Sequence, residues 1–318
     1  MAVLNVVVIN PLADRHIEVL QAVDPNLNII VTDEKHAVEH MSGCHILVTW
    51  GWAETKHLYL AAPHLEWVHA LSAGVEKLVF PEIQASDTIL TNSKGIHGIP
   101  VSEHVLAMML AFSRGLNISI RQQESKRWKR MPTCELHDHT IAIVGLGSIG
   151  REIAKKAKAL GMTVLASKQE VTTELFVDKL YPPDNESLLE MLAQADYVVI
   201  ALPLTENTQN MICLPHFTAM KPSAYLFNIA RGTVVNEADL VIALEQKLIR
   251  GAGLDVFASE PLPETSSLWD MPNVIITPHV AALSPAYLDR AIKLFADNLI
   301  RFIQGRDMIN VIDKVKGY

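Results

Sequence analysis

The chain reads as an α/β protein made of two Rossmann-like, doubly wound parallel-sheet domains separated by a cleft. Three observations predict this. Its 318 residues exceed what one hydrophobic core usually fills. Short apolar runs alternate with helical stretches in two successive series, the signature of parallel strands joined by crossover helices. The second series opens on a glycine-rich turn, Gly145-Leu-Gly-Ser-Ile-Gly150, set between a strand-like run and a helical one.

In the first series, residues 3–9, 28–31, 46–49, 65–68 and 88–90 read as strands. Residues 13–22 read as a helix and 75–78 as helical or turn-like. A longer helix is expected over 100–115, where Pro100 suits the first turn and VSEHVLAMMLAFSRG carries a broad apolar stripe. The basic stretch RQQESKRWKR that follows reads as a solvated helix face, with Trp128 a candidate for packing on a partner subunit. The second series runs IAIVGLGSIG, REIAKKAKALG, MTVLAS, SLLEMLAQA and DYVVIALP, then HFTAM, AYLFNIA, EADLVIALEQK, RGAGLDVF and NVIITPH. The final helix, within SPAYLDRAIKLFADNLIRFIQG, ends at Gly305, and its tail is expected to rejoin the first domain. The expected boundaries are therefore discontinuous: 1–99 with 285–318 binding substrate, and 100–284 binding the dinucleotide.

Composition narrows the function. Apolar residues make up 49% and charged residues 19%, an ordinary globular balance. Lys and Arg total 27 against 35 Asp and Glu, a net charge of -8, which argues against binding nucleic acid through its phosphates. Cys44, Cys134 and Cys213 are odd in number and widely spaced, as expected of reduced thiols in a cytoplasmic protein. The start, MAVLNVVVIN, reads as a first strand and not as a signal peptide, and no apolar run reaches membrane-spanning length. Among thirteen histidines, His36 with His40 and the His137-Asp138-His139 cluster lack a third fixed ligand, so no metal is expected.

In the glycine turn, Gly145 permits a tight bend and Gly147 lets a pyrophosphate approach the backbone. Gly150 allows close helix–strand packing, while Ser148 and Ile149 open a helix whose N-terminus favours phosphate. About 20 residues on, where an Asp or Glu normally accepts the adenosine ribose hydroxyls, stand Ser167 and Lys168. A hydroxyl beside an ammonium attracts a 2′-phosphate, so NADP(H) is favoured over NAD(H); Glu170 is the alternative ribose acceptor.

Three further residues bear the functional groups needed to bind a small carboxylic acid and move a proton. Arg231 in NIARG offers a planar fork for a carboxylate. His279 in TPH suits general acid–base work, and Glu260 in SEPLP can hold its second ring nitrogen.

GLGSIG, the segment at Leu202 to Thr205, NIARG, GLDVF, EPLP and TPH, in this order and spacing, resemble the D-isomer-specific 2-hydroxyacid dehydrogenases. This family includes glyoxylate/hydroxypyruvate reductases and phosphoglycerate dehydrogenases. LSAGVEKL and NSKGIHGIPVSEHVLAMML extend the likeness over nearly the whole chain. The resemblance implies Arg231 as substrate binder, His279 as acid/base, Glu260 as its partner and Asp255 as the residue positioning the nicotinamide carboxamide. It further implies cofactor contacts from Leu202, Pro203, Thr208 and Ile229, carboxylate binding by the amides around Ala73 and Gly74, and a homodimer. Trp50 and Trp52 are candidates for the pocket rim or for packing. Two departures stand out: Lys168 in the usual acidic place, and Ala281-Ala282 where Ala-Gly commonly follows the histidine. The expected reaction is hydride exchange between a nicotinamide cofactor and a small 2-oxo or 2-hydroxy acid, with D-stereospecificity. The alternatives are a relative acting on formate or phosphonate, or a dinucleotide-sensing, corepressor-like protein.

Overall fold

The computed structural model describes residues 3–170 and 172–315. The chain divides into two compact units, 1–96 with 284–318 and 97–283.

The first unit holds a five-stranded parallel sheet of β1 (Asn5–Ile9), β2 (Asn28–Thr32), β3 (Ile46–Thr49), β4 (Trp67–Ala70) and β5 (Ile89–Asn92), in the order β2-β1-β3-β4-β5. Strands buried on both faces read as continuous apolar runs because neither face meets water, as in NVVVI and ILVT. Their alternation builds two layers. Val7, Leu47, Val68 and Leu90 face one layer, while Val6, Val8, Ile46, Val48 and Trp67 face the other. The helix Tyr287–Ile303 closes the second layer with Ile292, Phe295 and Leu299, residues spaced to share one helical face. Phe295 packs 4.9 Å from Trp67, ring to ring. Each such side chain removed from water contributes about 1.5–3 kcal/mol before the entropy of ordering it.

The second unit holds seven parallel strands: β6 (Thr140–Val144), β7 (Thr163–Ser167), β8 (Lys179–Tyr181), β9 (Tyr197–Ile200), β10 (Tyr225–Asn228), β11 (Gly251–Leu254) and β12 (Val274–Ile276). Their order is β12-β11-β10-β9-β6-β7-β8. The direction of winding reverses between β6 and β9, and ligands of open α/β sheets bind outside the carboxyl ends of strands at such a point. The apolar pattern explains the two layers again, with Ile141 and Ile143 on one face and Ala142 and Val144 on the other.

Several boundaries differ from the sequence expectations. The long helix spans Gly98–Ser113, and of the two readings of 75–78, helical or turn-like, the structure has a turn at 76–78. The short strand β8 and the helices Lys56–Leu60 and Pro81–Gln84 are too brief to show a period. The basic stretch is not one helix face. Its helix, Leu116–Glu124, stops before Lys126, which has φ 52°, and residues 126–130 form no regular element. Trp128 is 99% exposed there. None of the described helices is long and apolar enough to cross a membrane.

Candidate active site

The turn after β6 has the geometry that its glycines suggested. Gly145 adopts φ 102°, and a Cβ there would stand 2.9 Å from the carbonyl oxygen of Ala201, just past β9. At Gly150 a Cβ would lie 2.5 Å from the Gly145 carbonyl, so only glycine lets the helix Ser148–Ala159 close on the turn. Around Gly147, by contrast, a Cβ would meet nothing within 4 Å. The turn therefore leaves open backbone at the helix N-terminus, where Ser148 is exposed, and this fits a phosphate-bearing cofactor.

Around this turn the other cofactor candidates hold different places. The Ser167 hydroxyl accepts a hydrogen bond from the Gly145 amide (3.2 Å), tying the end of β7 to the turn. After β9, Leu202, Pro203 and Thr208 share one loop; the Thr208 hydroxyl donates to the Pro203 carbonyl (2.7 Å) and accepts from the Thr205 amide (2.8 Å). Ile229 is buried in the core. Lys168 is not simply solvated. Its ammonium lies 2.7 Å from Glu174, whose carboxylate also takes two bonds from Arg151, 2.9 Å from Nε and 2.7 Å from Nη2. Arg151 first and Lys168 second push the Glu174 carboxyl down to about 2.

The proton-transfer candidates lie on loops at the carboxyl ends of β10, β11 and β12, which are neighbours in the sheet. His279 Nδ1 is 2.7 Å from Glu260 Oε2, and Glu260 Oε1 accepts from the Phe257 amide (3.0 Å). An ionised carboxylate can only accept, so the proton sits on Nδ1 and Nε2 is left for exchange with a ligand. Arg231 is exposed on the preceding loop, its Nη1 donating to the Ala230 carbonyl (2.8 Å). Gly232 joins that loop to the one bearing Glu260, because a Cβ there would stand 1.8 Å from the carbonyl carbon of Phe257. Burial, then the charge of Arg231, holds His97 below the usual imidazole range.

Asp255 ties the His279 loop down. Its buried carboxylate accepts from the Thr277 hydroxyl (2.6 Å) and the Val280 and Ala281 amides (both 2.9 Å), while its own carbonyl accepts from the His279 amide (2.8 Å). His279 sits at φ 53°, a left-handed conformation costly for a residue with a Cβ. His104 Nε2 lies 3.0 Å from the Thr277 hydroxyl. Since that hydroxyl donates to Asp255, Nε2–H donates to it, and the chain of bonds runs inward from the helix Gly98–Ser113. Sequence reasoning missed Thr277 and His104: neither periodicity nor spacing distinguishes them.

In the other unit, Trp50, Trp52, Ala73 and Gly74 lie on two loops in close contact. A Cβ on Gly51 would stand 1.7 Å from the Gly74 carbonyl oxygen, and the Ser72 hydroxyl links the loops by accepting from the Gly51 amide and donating to the Gly74 carbonyl, both 2.8 Å. Asn92 fixes the second loop by donating to the Ala73 carbonyl. Among the described residues, neither the Ala73 nor the Gly74 amide has a protein acceptor, so both are available to an anion. Trp50 and Trp52 stack on each other at 4.6 Å; Trp50 also donates to Asn10, whereas Trp52 is 61% exposed.

The described residues contain no group of three or more His, Cys, Asp or Glu able to hold a metal. The family model described as the D-isomer specific 2-hydroxyacid dehydrogenase NAD binding domain matches residues 106–281. A glyoxylate reductase of Pyrococcus furiosus is 33% identical over 268 residues, covering 81% of this chain and 79% of the relative. Among solved structures, a D-isomer specific 2-hydroxyacid dehydrogenase family protein from Aeromonas salmonicida superposes with TM-score 0.87 at 35% identity, covering 98% of this chain and 99% of that one. An NADPH-dependent glyoxylate/hydroxypyruvate reductase from Sinorhizobium meliloti, solved with NADP and sulfate, does so with TM-score 0.81 at 30% identity, covering 99% and 100%. The glycine turn at the winding reversal, the clamped histidine and these matches agree: the chain belongs to the D-isomer specific 2-hydroxyacid dehydrogenase family and is an NAD(P)-dependent 2-hydroxyacid dehydrogenase.

Proposed function

We propose that the chain reduces a small 2-oxo acid to the D-2-hydroxy acid and prefers NADP(H). The hydrogen-bonded Glu260–His279 pair, with the His279 loop clamped by Asp255, is the observation that carries this reading. When bound at the glycine turn, the cofactor supplies the hydride that reduces C2. His279 then gives its Nε2 proton to the former carbonyl oxygen, and Glu260 keeps Nδ1–H in place and stabilises the imidazolium before the transfer. Arg231 binds the carboxylate end of the acid, and the Ala73 and Gly74 amides offer donors to a carboxylate. Asp255 positions the nicotinamide carboxamide in addition to holding the His279 loop. Lys168, with no acidic residue at the end of β7, favours the 2′-phosphate. The Sinorhizobium relative's NADPH dependence supports the same preference.

Oxidation of NADPH and NADH with glyoxylate, hydroxypyruvate, pyruvate and bulkier 2-oxo acids tests the proposal. A higher kcat/KM with NADPH on a small acid, and a D-configured product where the product is chiral, are expected. Cofactor binding without turnover across that panel would leave a dinucleotide sensor in its place.

A further inference from the structure

The cofactor-selecting corner contains a carboxylate where a phosphate is expected. Arg151, in the first turns of the helix Ser148–Ala159, and Lys168, directly after β7, both point their charge at Glu174. Glu174 comes from the stretch between β7 and β8, and its side chain is only 12% exposed, against 47% for Arg151. Arg151 grips it with two adjacent nitrogens, the fork that matches a carboxylate or a phosphate equally well. The carboxylate thus sits between two cations, one of them directly after β7, where a dinucleotide's adenosine ribose is expected.

We infer that Glu174 is an internal stand-in for the 2′-phosphate, a carboxylate that must leave Arg151 and Lys168 before NADP(H) binds them. This rests on the reading of Lys168 as a 2′-phosphate ligand. A phosphate carries nearly twice the charge of a carboxylate and three acceptor oxygens, so it outcompetes Glu174 for the same donors. An unphosphorylated ribose brings no charge to the exchange. Glu174 therefore lowers the affinity for NADP(H) while keeping the two cations paired in the free protein, and leaves NAD(H) binding nearly untouched. The apparent affinity for NADP(H) is the intrinsic one reduced by the fraction of molecules in which Glu174 has swung away.

Dissociation constants of NADPH and NADH for the full chain and for the Glu174→Gln and Lys168→Ala variants, read by cofactor fluorescence at fixed salt, test this. Glu174→Gln should tighten NADPH by roughly fivefold, the most that a partly exposed ion pair usually contributes, and change NADH by less than about twofold. Weakened NADH binding would overturn the inference by making Glu174 the ribose acceptor. Unchanged NADPH binding would overturn it by reducing the cluster to a surface ion pair. Lys168→Ala separates the stand-in role from the cofactor preference beneath it. If it fails to weaken NADPH, the NADP(H) reading itself falls; if it weakens NADPH while Glu174→Gln does not tighten it, only the stand-in role falls.

Discussion

Asp255→Asn tests whether the clamp on the His279 loop serves catalysis or only folding. The carboxylate accepts three bonds at 2.6, 2.9 and 2.9 Å inside the protein, where bonds to a charged acceptor contribute roughly 1.5–3 kcal/mol each. Asparagine keeps one oxygen as a neutral acceptor for Thr277 and Val280. Its amide nitrogen then faces the Ala281 N–H, donor against donor, and an unpaired buried donor costs about 1–3 kcal/mol. Together the loss is about 3 kcal/mol, as large as the strain of on the order of 1–3 kcal/mol that the left-handed φ of His279 carries. At about 1.4 kcal/mol per factor of ten, kcat should fall roughly 100-fold. For a unit of this size the melting temperature should fall by about 6–12 °C. Steady-state kinetics and scanning calorimetry on the same preparation read both. Thr277→Val supplies an independent arm, because it removes one clamp bond without changing the carboxylate that the nicotinamide would meet; it should lower kcat in the same direction by about tenfold. His279→Ala, by comparison, should lose turnover while melting within a few degrees of the wild type. A kcat within about threefold of wild type in Asp255→Asn, beside a lowered melting temperature, would refute the claim that the clamp positions the histidine.

Two other consequences can be measured. Gly147→Ala, placed where a Cβ meets nothing within 4 Å, should leave the melting temperature unchanged but weaken NADPH, whereas Gly150→Ala should lower the melting temperature because its Cβ would stand 2.5 Å from the Gly145 carbonyl. Equal melting of the two variants would contradict the assigned packing roles. His69 is wholly buried between Trp67 and Phe295, and burial pushes its imidazole from 6.5 down to about 3. The unfolded chain binds the proton that the folded one refuses, so stability should fall as pH drops through the window from about 6.5 towards about 3. Urea unfolding midpoints across that window should decline less steeply in His69→Gln, and parallel curves would exclude His69 as the cause.

How much of this was legible in the sequence follows from which interactions are local. Parallel strands buried on both faces must be apolar throughout, so NVVVI, ILVT and YVVI announce themselves without any partner in view. Glycine in a strand–turn–helix context is equally local, since Gly145 and Gly150 are demanded by atoms within a few residues or just past the adjacent strand. Chemistry-bearing types such as Arg231, Glu260 and His279 stand out because a guanidinium, a carboxylate and an imidazole are rarely needed at strand ends for packing alone. What holds them is not local. Thr277 matters because Asp255, 22 residues away, bonds its hydroxyl, and His104 enters only through a helix 173 residues distant in sequence. Gly51 is glycine because the Gly74 carbonyl leaves no room for a Cβ, a contact between loops that neither periodicity nor spacing encodes. The surroundings of Lys168 are the strongest case of such non-local contacts. Read as a string, Lys168 is a cation where an acid usually stands, and Glu170 is the nearest alternative acceptor for the ribose. In the folded chain Lys168 pairs instead with Glu174, four residues beyond Glu170 and gripped by Arg151 as well. Under the proposed NADP(H) preference, two cations and one carboxylate share the 2′-phosphate corner, and substituting Lys168 alone would measure only part of their balance.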